Sequence, residues 1–224
     1  FDVSIKNVSV SRKQTAIFKM EIAMKILVAC EYSGTVRDAF KRKGHDAWSC
    51  DILPTDIPGN HIQGNVLDIL DNGWDMMIAH PPCTHLAVSG ARWFTEGLKP
   101  RYLQDRSLTF VRKLMKAPIP QICIENPVSI ISSRIRKSDQ MINPYEFGHR
   151  EFKRTCLWLH NLPKLKPITN LLEETKKLPK KISNRINYIP RGPNRGHLRS
   201  KFFKGFANAM ANQWGSLSPL QPQH

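Results

Sequence analysis

The fold is decided by residues 24–44, MKILVACEYSGTVRDAFKRKG, in which an apolar run, a short turn and a helical stretch follow one another. Ile26–Cys30 is continuously apolar, as expected for a parallel strand that is covered on both faces. Glu31–Gly34 form a turn, and Thr35–Lys43 carry apolar residues at helical spacing. Gly44 stands where a glycine commonly follows a helix. This stretch therefore predicts the first strand, turn and helix of an α/β sheet.

The alternation of strand and helix continues along the chain. Four more strands are predicted over 47–50, 62–64, 74–79 and 121–124, and helices over 102–116 and 204–214. Residues 141–159 indicate an irregular strand pair, of which 153–159 is the clearer member. Strands separated by helices form right-handed βαβ units. The predicted fold class is therefore α/β, with a doubly wound, Rossmann-like sheet.

The 224 residues, 41% of them hydrophobic, are enough for one packed domain with an appendage. We expect residues 1–23 to be an extension outside the fold and 24–160 to be the main domain. Residues 161–199, which show little periodicity, are expected to be a basic loop region and not a second packed domain. The predicted helix within 200–215 would complete the main domain, and 216–224 would be a tail.

Positive charge is concentrated in the second half of the chain. The whole sequence has a formal charge of +16. Residues 24–96 hold 6 basic and 9 acidic side chains, whereas residues 97–224 hold 24 basic and 7 acidic ones. This asymmetry indicates a cofactor-binding or catalytic half beside a half that binds a polyanion. A generally basic, well-solvated surface is the alternative interpretation.

The composition also bears on the compartment and on membranes. The longest aliphatic run, Ile26–Cys30, is far shorter than the roughly 20 residues that a membrane-spanning helix needs. No secretory signal is visible near the first residue. The five cysteines include no C-x-x-C pair and form no even framework. We therefore expect no membrane association and a reduced, intracellular protein.

Unusual polar clusters follow several of the predicted strands. Ligands of doubly wound sheets bind at the carboxyl ends of strands, and the clusters fall there: Glu31–Gly34, Asp51, Gly64-Asn65, His80–Cys83 and Glu125–Pro127. The turn Glu31–Gly34 lacks the G-x-G-x-x-G pattern of dinucleotide sites. An acidic residue at the position of Asp51 is well placed to bind the two hydroxyls of a ribose.

Cys83 is the most distinctive of these residues because Pro81 and Pro82 stiffen the loop that presents it. A thiol there can act as a nucleophile where nearby positive charge lowers its pKa. Glu125, at the next strand end, could donate a proton to a ring nitrogen if desolvation raises its pKa. The plainer interpretations are an inert loop cysteine and a glutamate that caps a helix. His80, Cys83 and His85 could instead bind zinc, but no second cluster of matching spacing exists, so we expect no metal.

Pro81-Pro82-Cys83 followed by Glu125-Asn126 resembles the DNA cytosine-5 methyltransferase family, and in particular its short, phage-type members. The resemblance extends in order from Lys25 to about Gly215. It implies a fold that uses S-adenosylmethionine and an enzyme that modifies phage or host DNA, for example against restriction. It also implies a cytoplasmic location in a bacterial or phage-infected host cell. Enzymes that methylate amino groups of DNA bases carry an aromatic residue at the position of Cys83, so the cysteine favours methylation of carbon.

The resemblance also implies roles for individual residues. Cys83 would attack C6 of a flipped cytosine, Glu125 would hold N3 and the exocyclic amine, and Lys153 would reach the carbonyl oxygen of the base. Ten residues would contribute to the cofactor site: Glu31, Tyr32, Ser33, Gly34, Asp51, Ile52, Asn65, Val66, His80 and Pro81.

Three positions depart from the family pattern. The glycine-rich first motif keeps only Gly34, Asn65 replaces an aspartate, and Glu151-x-Lys153-x-Thr155 stands where the family has Gln-x-Arg-x-Arg. A full target-recognition domain is also missing, and residues 161–199 are what stands in its place. Basic residues of the 150–204 range are therefore expected to bind DNA through its phosphates, with a short or lax target sequence.

Two alternatives stay open at this point. The chain could be a non-catalytic, DNA-binding relative that has lost turnover, which the three departures favour. It could also methylate RNA or a free cytosine nucleotide, although one small anion does not require so basic a surface. The sequence does not determine the oligomeric state.

Overall fold

The computed structural model describes residues 22–192 and 195–218, and these form a single seven-stranded sheet with helices on both faces. The strand order is β3-β2-β1-β4-β5-β7-β6. The strands are β1 (Lys25–Ala29), β2 (Asp46–Asp51), β3 (His61–Gln63), β4 (Met76–Ala79), β5 (Gln121–Pro127), β6 (Gln140–Ile142) and β7 (Thr155–His160). The first five strands are mutually parallel, and β7 runs antiparallel to both of its neighbours. The predicted doubly wound, Rossmann-like α/β sheet is confirmed.

Eight α-helices accompany the sheet within the described residues. They are α1 (Thr35–Lys41), α2 (Arg92–Thr95), α3 (Tyr102–Met115), α4 (Ile131–Arg134), α5 (Leu172–Lys177), α6 (Lys180–Ser183), α7 (Arg195–Ser200) and α8 (Lys204–Trp214). Short 3₁₀ turns cover Val66–Asp68, Val88–Gly90, Pro144–Phe147 and Arg185–Tyr188. The bounds predicted for α8 are confirmed. The helix α1 ends two residues earlier than predicted, and α3 ends one residue earlier.

The apolar run of β1 is buried on both faces of the sheet. Ile26 and Val28 join the core that includes α1 and α8. Leu27 and Ala29 point the other way, into the core beneath α3. All four side chains are fully buried. A strand in this position cannot alternate apolar with polar residues, which is why the run is continuous.

The order of the strands reverses between β1 and β4, which lie next to each other although β2 and β3 separate them in sequence. Such a switch point opens a crevice at the carboxyl ends of the strands. Because β1 to β5 are parallel, the polar clusters that follow them all lie along one edge of the sheet. The structure thus brings the sequence-predicted clusters to a common edge.

The fifth strand is longer than predicted. The sequence suggests that it ends at Ile124 and leaves Glu125 in the following turn, but β5 continues to Pro127. Glu125 pairs with Leu157 and Asn126 with Cys156 of the antiparallel β7. The extension of β5 depends on pairing with a strand about 30 residues further along the chain. Glu125 and Asn126 are polar, so the local sequence does not predict that they belong to a strand.

The segment 161–199 is more ordered than the predicted loop. It contains α5, α6, the 3₁₀ turn Arg185–Tyr188 and part of α7. Leu162, Leu165 and Ile186 are buried in the core beside α8. Gln140 exchanges two hydrogen bonds of 2.8 Å with the backbone of Leu165. Isolated apolar anchors hold this segment, so its sequence shows no helical or strand period.

The expectations for residues 1–23 and 216–224 concern positions that lie mostly outside the described residues. Met24 is fully buried, and β1 begins at the next residue. Among the described residues, each helix is too short or too polar to cross a lipid bilayer.

Candidate active site

Cys83 lies in the loop that follows β4, at the carboxyl edge of the sheet. All five cysteines fall within the described residues. Cys83 is exposed, Cys30 is partly buried, and Cys50, Cys123 and Cys156 are buried. Cys83 is thus the one cysteine that is exposed as a residue, and it directly follows the Pro-Pro dipeptide.

Three hydrogen bonds hold the Cys83 loop to the neighbouring strands. The backbone N–H of His80 donates to the carbonyl of Ala29, at 2.9 Å. The side-chain amide of Asn126 donates to the carbonyl of Pro81, at 2.8 Å. His80 Nδ1 lies 3.0 Å from Glu125 Oε2. The loop is thus fixed to β1 on one side and to β5 on the other, which sets the position of Cys83 relative to Glu125.

Glu125 is a buried carboxyl group within β5, with 9% of the residue exposed. His80 is its hydrogen-bond partner among the described residues. The ring of His80 also packs against Phe202, with 4.6 Å between ring centroids. His80 was predicted to bind a cofactor, but in the structure its Nδ1 faces the predicted catalytic acid. Neither His80–Glu125 nor His80–Phe202 could be inferred from sequence, because 45 and 122 residues separate the partners.

Lys153 precedes β7 and reaches the same cleft. Its Nζ donates to the carbonyl of Arg199 at 3.5 Å and lies 5.5 Å from the centroid of the Phe203 ring. Both Lys153 and Arg199 lower the pKa of the Cys83 thiol, which places their positive charges within electrostatic range of the sulfur. Arg199 was predicted only as a phosphate contact, so its influence on Cys83 is a finding of the structure.

The pKa of Cys83 is nevertheless raised above the usual thiol value. The surrounding protein removes enough water from the sulfur for desolvation to be the largest cause, and the nearby Glu125 carboxylate adds to it. The positive charges of Lys153 and Arg199 only partly offset these two effects. The condition named for a nucleophilic thiol, nearby positive charge that lowers its pKa, is thus present at Cys83 but is outweighed by burial and by the carboxylate of Glu125.

The turn after β1 is organised by the buried carboxylate of Glu31. This carboxylate accepts hydrogen bonds from the backbone N–H groups of Val36 and Arg37 and from the hydroxyl of Ser33. It therefore caps the first turn of α1. Gly34 has φ +68°, and a Cβ there would collide with the guanidinium of Arg37. The structure therefore gives a steric reason for a glycine at position 34.

The ends of β2 and β3 offer different groups. Asp51 is the last residue of β2, and its Oδ1 accepts a hydrogen bond from the N–H of Leu53. The next side chain, Ile52, is 74% exposed, unusually open for a large apolar residue. Asn65 caps the 3₁₀ turn that follows β3, accepting from Leu67 N and donating to Asp68 Oδ1. Val66 is buried beneath it.

Tyr32 lies under α7, where its ring packs 5.2 Å from that of His197. His197 Nε2 also lies 3.7 Å from Asp56 Oδ2. The basic segment therefore contacts the first turn as well as the Cys83 cleft. Pro81 is buried next to Cys83.

Basic side chains of the 150–204 range cover the adjoining surface. Arg150, Arg185 and Lys176 form ion pairs with Glu174, Glu151 and Glu173. Further exposed cations carry no recorded ion pair within the described residues: Arg154, Lys164, Lys166, Lys177, Lys180, Lys181, Arg191, Lys201 and Lys204. These nine cations are available to a polyanion. The three paired cations are available as well, because exposed ion pairs contribute little to stability and are easily exchanged.

The proposed zinc ligands do not form a metal site. Across residues 22–192 and 195–218, no three His, Cys, Asp or Glu side chains converge into a group that could hold a metal ion. His80 is directed to Glu125, and the ring of His85 packs edge-on against Phe94. The zinc alternative therefore has no ligand set in this part of the chain.

Comparisons with known proteins give little beyond the fold. No protein-family model matches the chain, and no curated protein matches it. Among solved structures it is similar to an E. coli protein proposed to be a DNA modification methyltransferase encoded within a prophage. Identity is 13% and the TM-score is 0.43, over 61% of this chain and 46% of that one. The chain thus covers less than half of that structure's length, and a likeness of this degree bears on neither its reaction nor its substrate.

Proposed function

We propose that this protein transfers a methyl group from S-adenosylmethionine to C5 of cytosine in DNA. One observation carries the proposal: an exposed cysteine in the loop after β4 lies within electrostatic range of a buried glutamate in the last part of β5. His80 connects the two, since it belongs to the Cys83 loop and contacts Glu125. A nucleophile next to a proton donor suits an aromatic base that has to be activated by addition.

The residues at the ends of β1 and β2 fit S-adenosylmethionine. The Asp51 carboxylate can accept hydrogen bonds from ribose hydroxyls, and the exposed Ile52 offers an apolar surface to an adenine ring. The left-handed Gly34 lets the backbone pass close to a ligand. Asn65 fits less well than the other residues, because both ends of its amide are used in capping. When bound, the cofactor supplies an electrophilic methyl group on a sulfonium sulfur.

Cys83 acts as the nucleophile in this proposal. Its thiol gives up a proton to solvent, and the thiolate adds to C6 of the cytosine while Glu125 donates a proton to N3. The addition makes C5 nucleophilic. After methylation, loss of the C5 proton to solvent, expulsion of the Cys83 thiolate and return of the N3 proton to Glu125 restore the aromatic ring. Lys153 and Arg199 stabilise the thiolate. In this proposal Lys153 also contacts the carbonyl oxygen of the base.

The basic surface supplies the DNA-binding energy. A cytosine inside a duplex is inaccessible to Cys83, so the base has to be flipped out at a cost of a few kcal/mol. Phosphate contacts from exposed lysines and arginines of the 150–204 range offset this cost without reading sequence. We therefore expect a short or lax target.

The test is nucleoside mass spectrometry of DNA from methylation-free cells that express the protein. New 5-methylcytosine that is absent with Cys83→Ala would support both the reaction and the nucleophile. We expect the variant to keep the loop, because Cys83 is an exposed loop residue and its side chain is close to alanine in size. No new methylcytosine from folded protein would contradict the proposal.

One observation favours the second candidate, a non-catalytic DNA-binding relative. The raised pKa of Cys83 leaves the resting thiol less ionised than an ordinary cysteine. Calorimetry separates the candidates: a protein that binds DNA and fails to bind S-adenosylmethionine would be the non-catalytic relative. For RNA or a free nucleotide as substrate, a salt titration discriminates, since many phosphate contacts give a steep decline of affinity.

A further inference from the structure

The His80 side chain has one hydrogen bond in the described structure, and that bond goes to Glu125. The Nδ1–Oε2 distance is 3.0 Å, and both side chains are nearly buried, at 13% and 11% exposure. The second ring nitrogen, Nε2, is buried and has no hydrogen-bond partner among the described residues. A histidine that served mainly to connect parts of the fold would be expected to have both nitrogens paired.

The ring of His80 is held in place from two directions. Its backbone N–H donates to Ala29 at the end of β1. Its face packs against Phe202, which in turn contacts Phe206 of α8 at 5.8 Å between centroids. The ring therefore has little freedom to leave Glu125, and it can fix the orientation of the carboxyl group.

Glu125 depends on this contact because it has few others. Its backbone is fixed by pairing with Leu157, but among the described residues His80 is its side-chain hydrogen-bond partner. With Oε2 engaged by His80, Oε1 is the oxygen left for a ligand. A carboxyl group that donates to a ring nitrogen needs one oxygen held and one directed at the substrate.

We propose that His80 is a positioning residue for Glu125: it binds Oε2 so that Oε1 meets the cytosine ring. The inference rests on the proposed function and deepens it. It also replaces the role predicted for His80 from sequence, which was cofactor binding. Other titratable groups lie within electrostatic range of Glu125 or of the neighbouring thiol: Cys83, Cys123, Cys156, Lys153 and Arg199. Among the described residues, none of these five forms a hydrogen bond with Glu125.

The substitution His80→Asn tests the proposal because the amide nitrogen of asparagine can occupy nearly the same place as Nδ1. His80→Ala removes the donor entirely. His160→Asn is a matched control, since His160 is exposed and lies at the opposite end of the β5–β7 ladder, paired with Ile122.

Methyl transfer to DNA would be measured at varied DNA and S-adenosylmethionine concentrations, with thermal unfolding of each variant alongside. We expect His80→Ala to lower kcat about 10- to 100-fold, the range for a hydrogen bond to a charged group. Both KM values should stay within about twofold, because the lost interaction acts in the transition state. His80→Asn should recover most of the rate, and His160→Asn should match the unaltered protein.

The outcomes separate this inference from the proposed function. No methylcytosine from the unaltered protein would refute the proposed function and this inference with it. An active protein whose His80→Ala variant is equally fast would refute the inference alone. A rise in KM for S-adenosylmethionine at unchanged kcat would assign His80 to the cofactor instead. If His80→Ala does not fold, a His80→Asn enzyme with a strongly reduced kcat and native unfolding behaviour would overturn the proposal.

Discussion

Two buried glutamates at the same edge of the sheet have opposite surroundings. Glu31, after β1, is 4% exposed and accepts three hydrogen bonds from its own turn and from α1. Glu125, in β5, is 9% exposed and has His80 as its partner among the described side chains. The first carboxylate is saturated by the protein, whereas the second keeps an oxygen for something else.

The unpaired polar atoms show the same contrast. Of the buried side-chain atoms without a hydrogen bond in the described structure, four lie in the segments that follow β4 or end β5: His80 Nε2, His85 Nδ1, Asn126 Oδ1 and Ser129 Oγ. Leaving such groups unpaired costs about 1–3 kcal/mol each. Unpaired polar atoms are thus concentrated in the segments that carry Cys83 and Glu125, whereas the Glu31 carboxylate is paired within its own turn and α1.

The largest expected effect comes from Glu125→Gln. We expect turnover to fall about 10²- to 10⁴-fold, the usual contribution of a general acid. Affinity for S-adenosylmethionine should be unchanged, because Glu125 lies on β5, away from Asp51 and Ile52. Steady-state kinetics and calorimetry measure the two quantities. Nearly full activity in this variant would contradict a catalytic role for Glu125, and the two glutamates would then not differ in function.

The matched substitution Glu31→Gln should lower the stability of the fold. Both carboxylate oxygens of Glu31 accept hydrogen bonds, from Ser33, Val36 and Arg37. Glutamine has one oxygen and one NH₂ group, and the NH₂ group cannot accept, so at least one donor loses its partner. We expect the free energy of unfolding to fall by about 2 kcal/mol. Urea denaturation followed by circular dichroism would measure it, with the exposed Glu96→Gln as control. Equal stability losses for Glu31→Gln and Glu125→Gln would contradict the comparison.

Thiol alkylation reports on the charges around Cys83. Because the pKa of Cys83 is raised, its alkylation should accelerate through a pH above the value of about 8.5 for an ordinary thiol. Glu125→Gln removes a negative charge, lowers this pKa and should speed the reaction severalfold at pH 8. Lys153→Gln removes a positive charge and should slow it. Identical pH profiles for the three proteins would mean that neither charge acts on the sulfur.

The smallest effect is expected from the basic surface. Lys180→Ala with Lys181→Ala should weaken DNA binding a few-fold for every sequence and reduce the salt slope by about one to two. The control pair, Lys41→Ala with Lys43→Ala, removes two exposed lysines from the less basic half of the chain. Binding would be followed by fluorescence anisotropy at several salt concentrations. A loss confined to certain sequences would show that this segment reads bases.

The sequence was sufficient to predict the parallel strands of the sheet, because most of them are short, largely apolar runs that are visible in the local sequence. Ile26–Cys30 and the helix α8 are predicted nearly residue by residue, and the polar strand ends do share one edge. The sequence was insufficient for contacts between distant residues. Pairing with β7 places Glu125 inside a strand, and the packing of Phe202 on His80 joins elements that are more than 100 residues apart. The pKa of Cys83 likewise depends on desolvation by the surrounding protein, which cannot be predicted from the neighbouring sequence.

The central claim is that Cys83 forms a bond to cytosine while Glu125 assists. It is tested most directly by intact-protein mass spectrometry after incubation with S-adenosylmethionine and DNA containing 5-fluorocytosine. Fluorine at C5 cannot leave as a cation, so the adduct cannot resolve once the methyl group is in place. We predict a protein–DNA adduct that maps to Cys83 and is absent from Cys83→Ala. An adduct that persists in Cys83→Ala, or none with a protein that methylates ordinary DNA, would contradict the account.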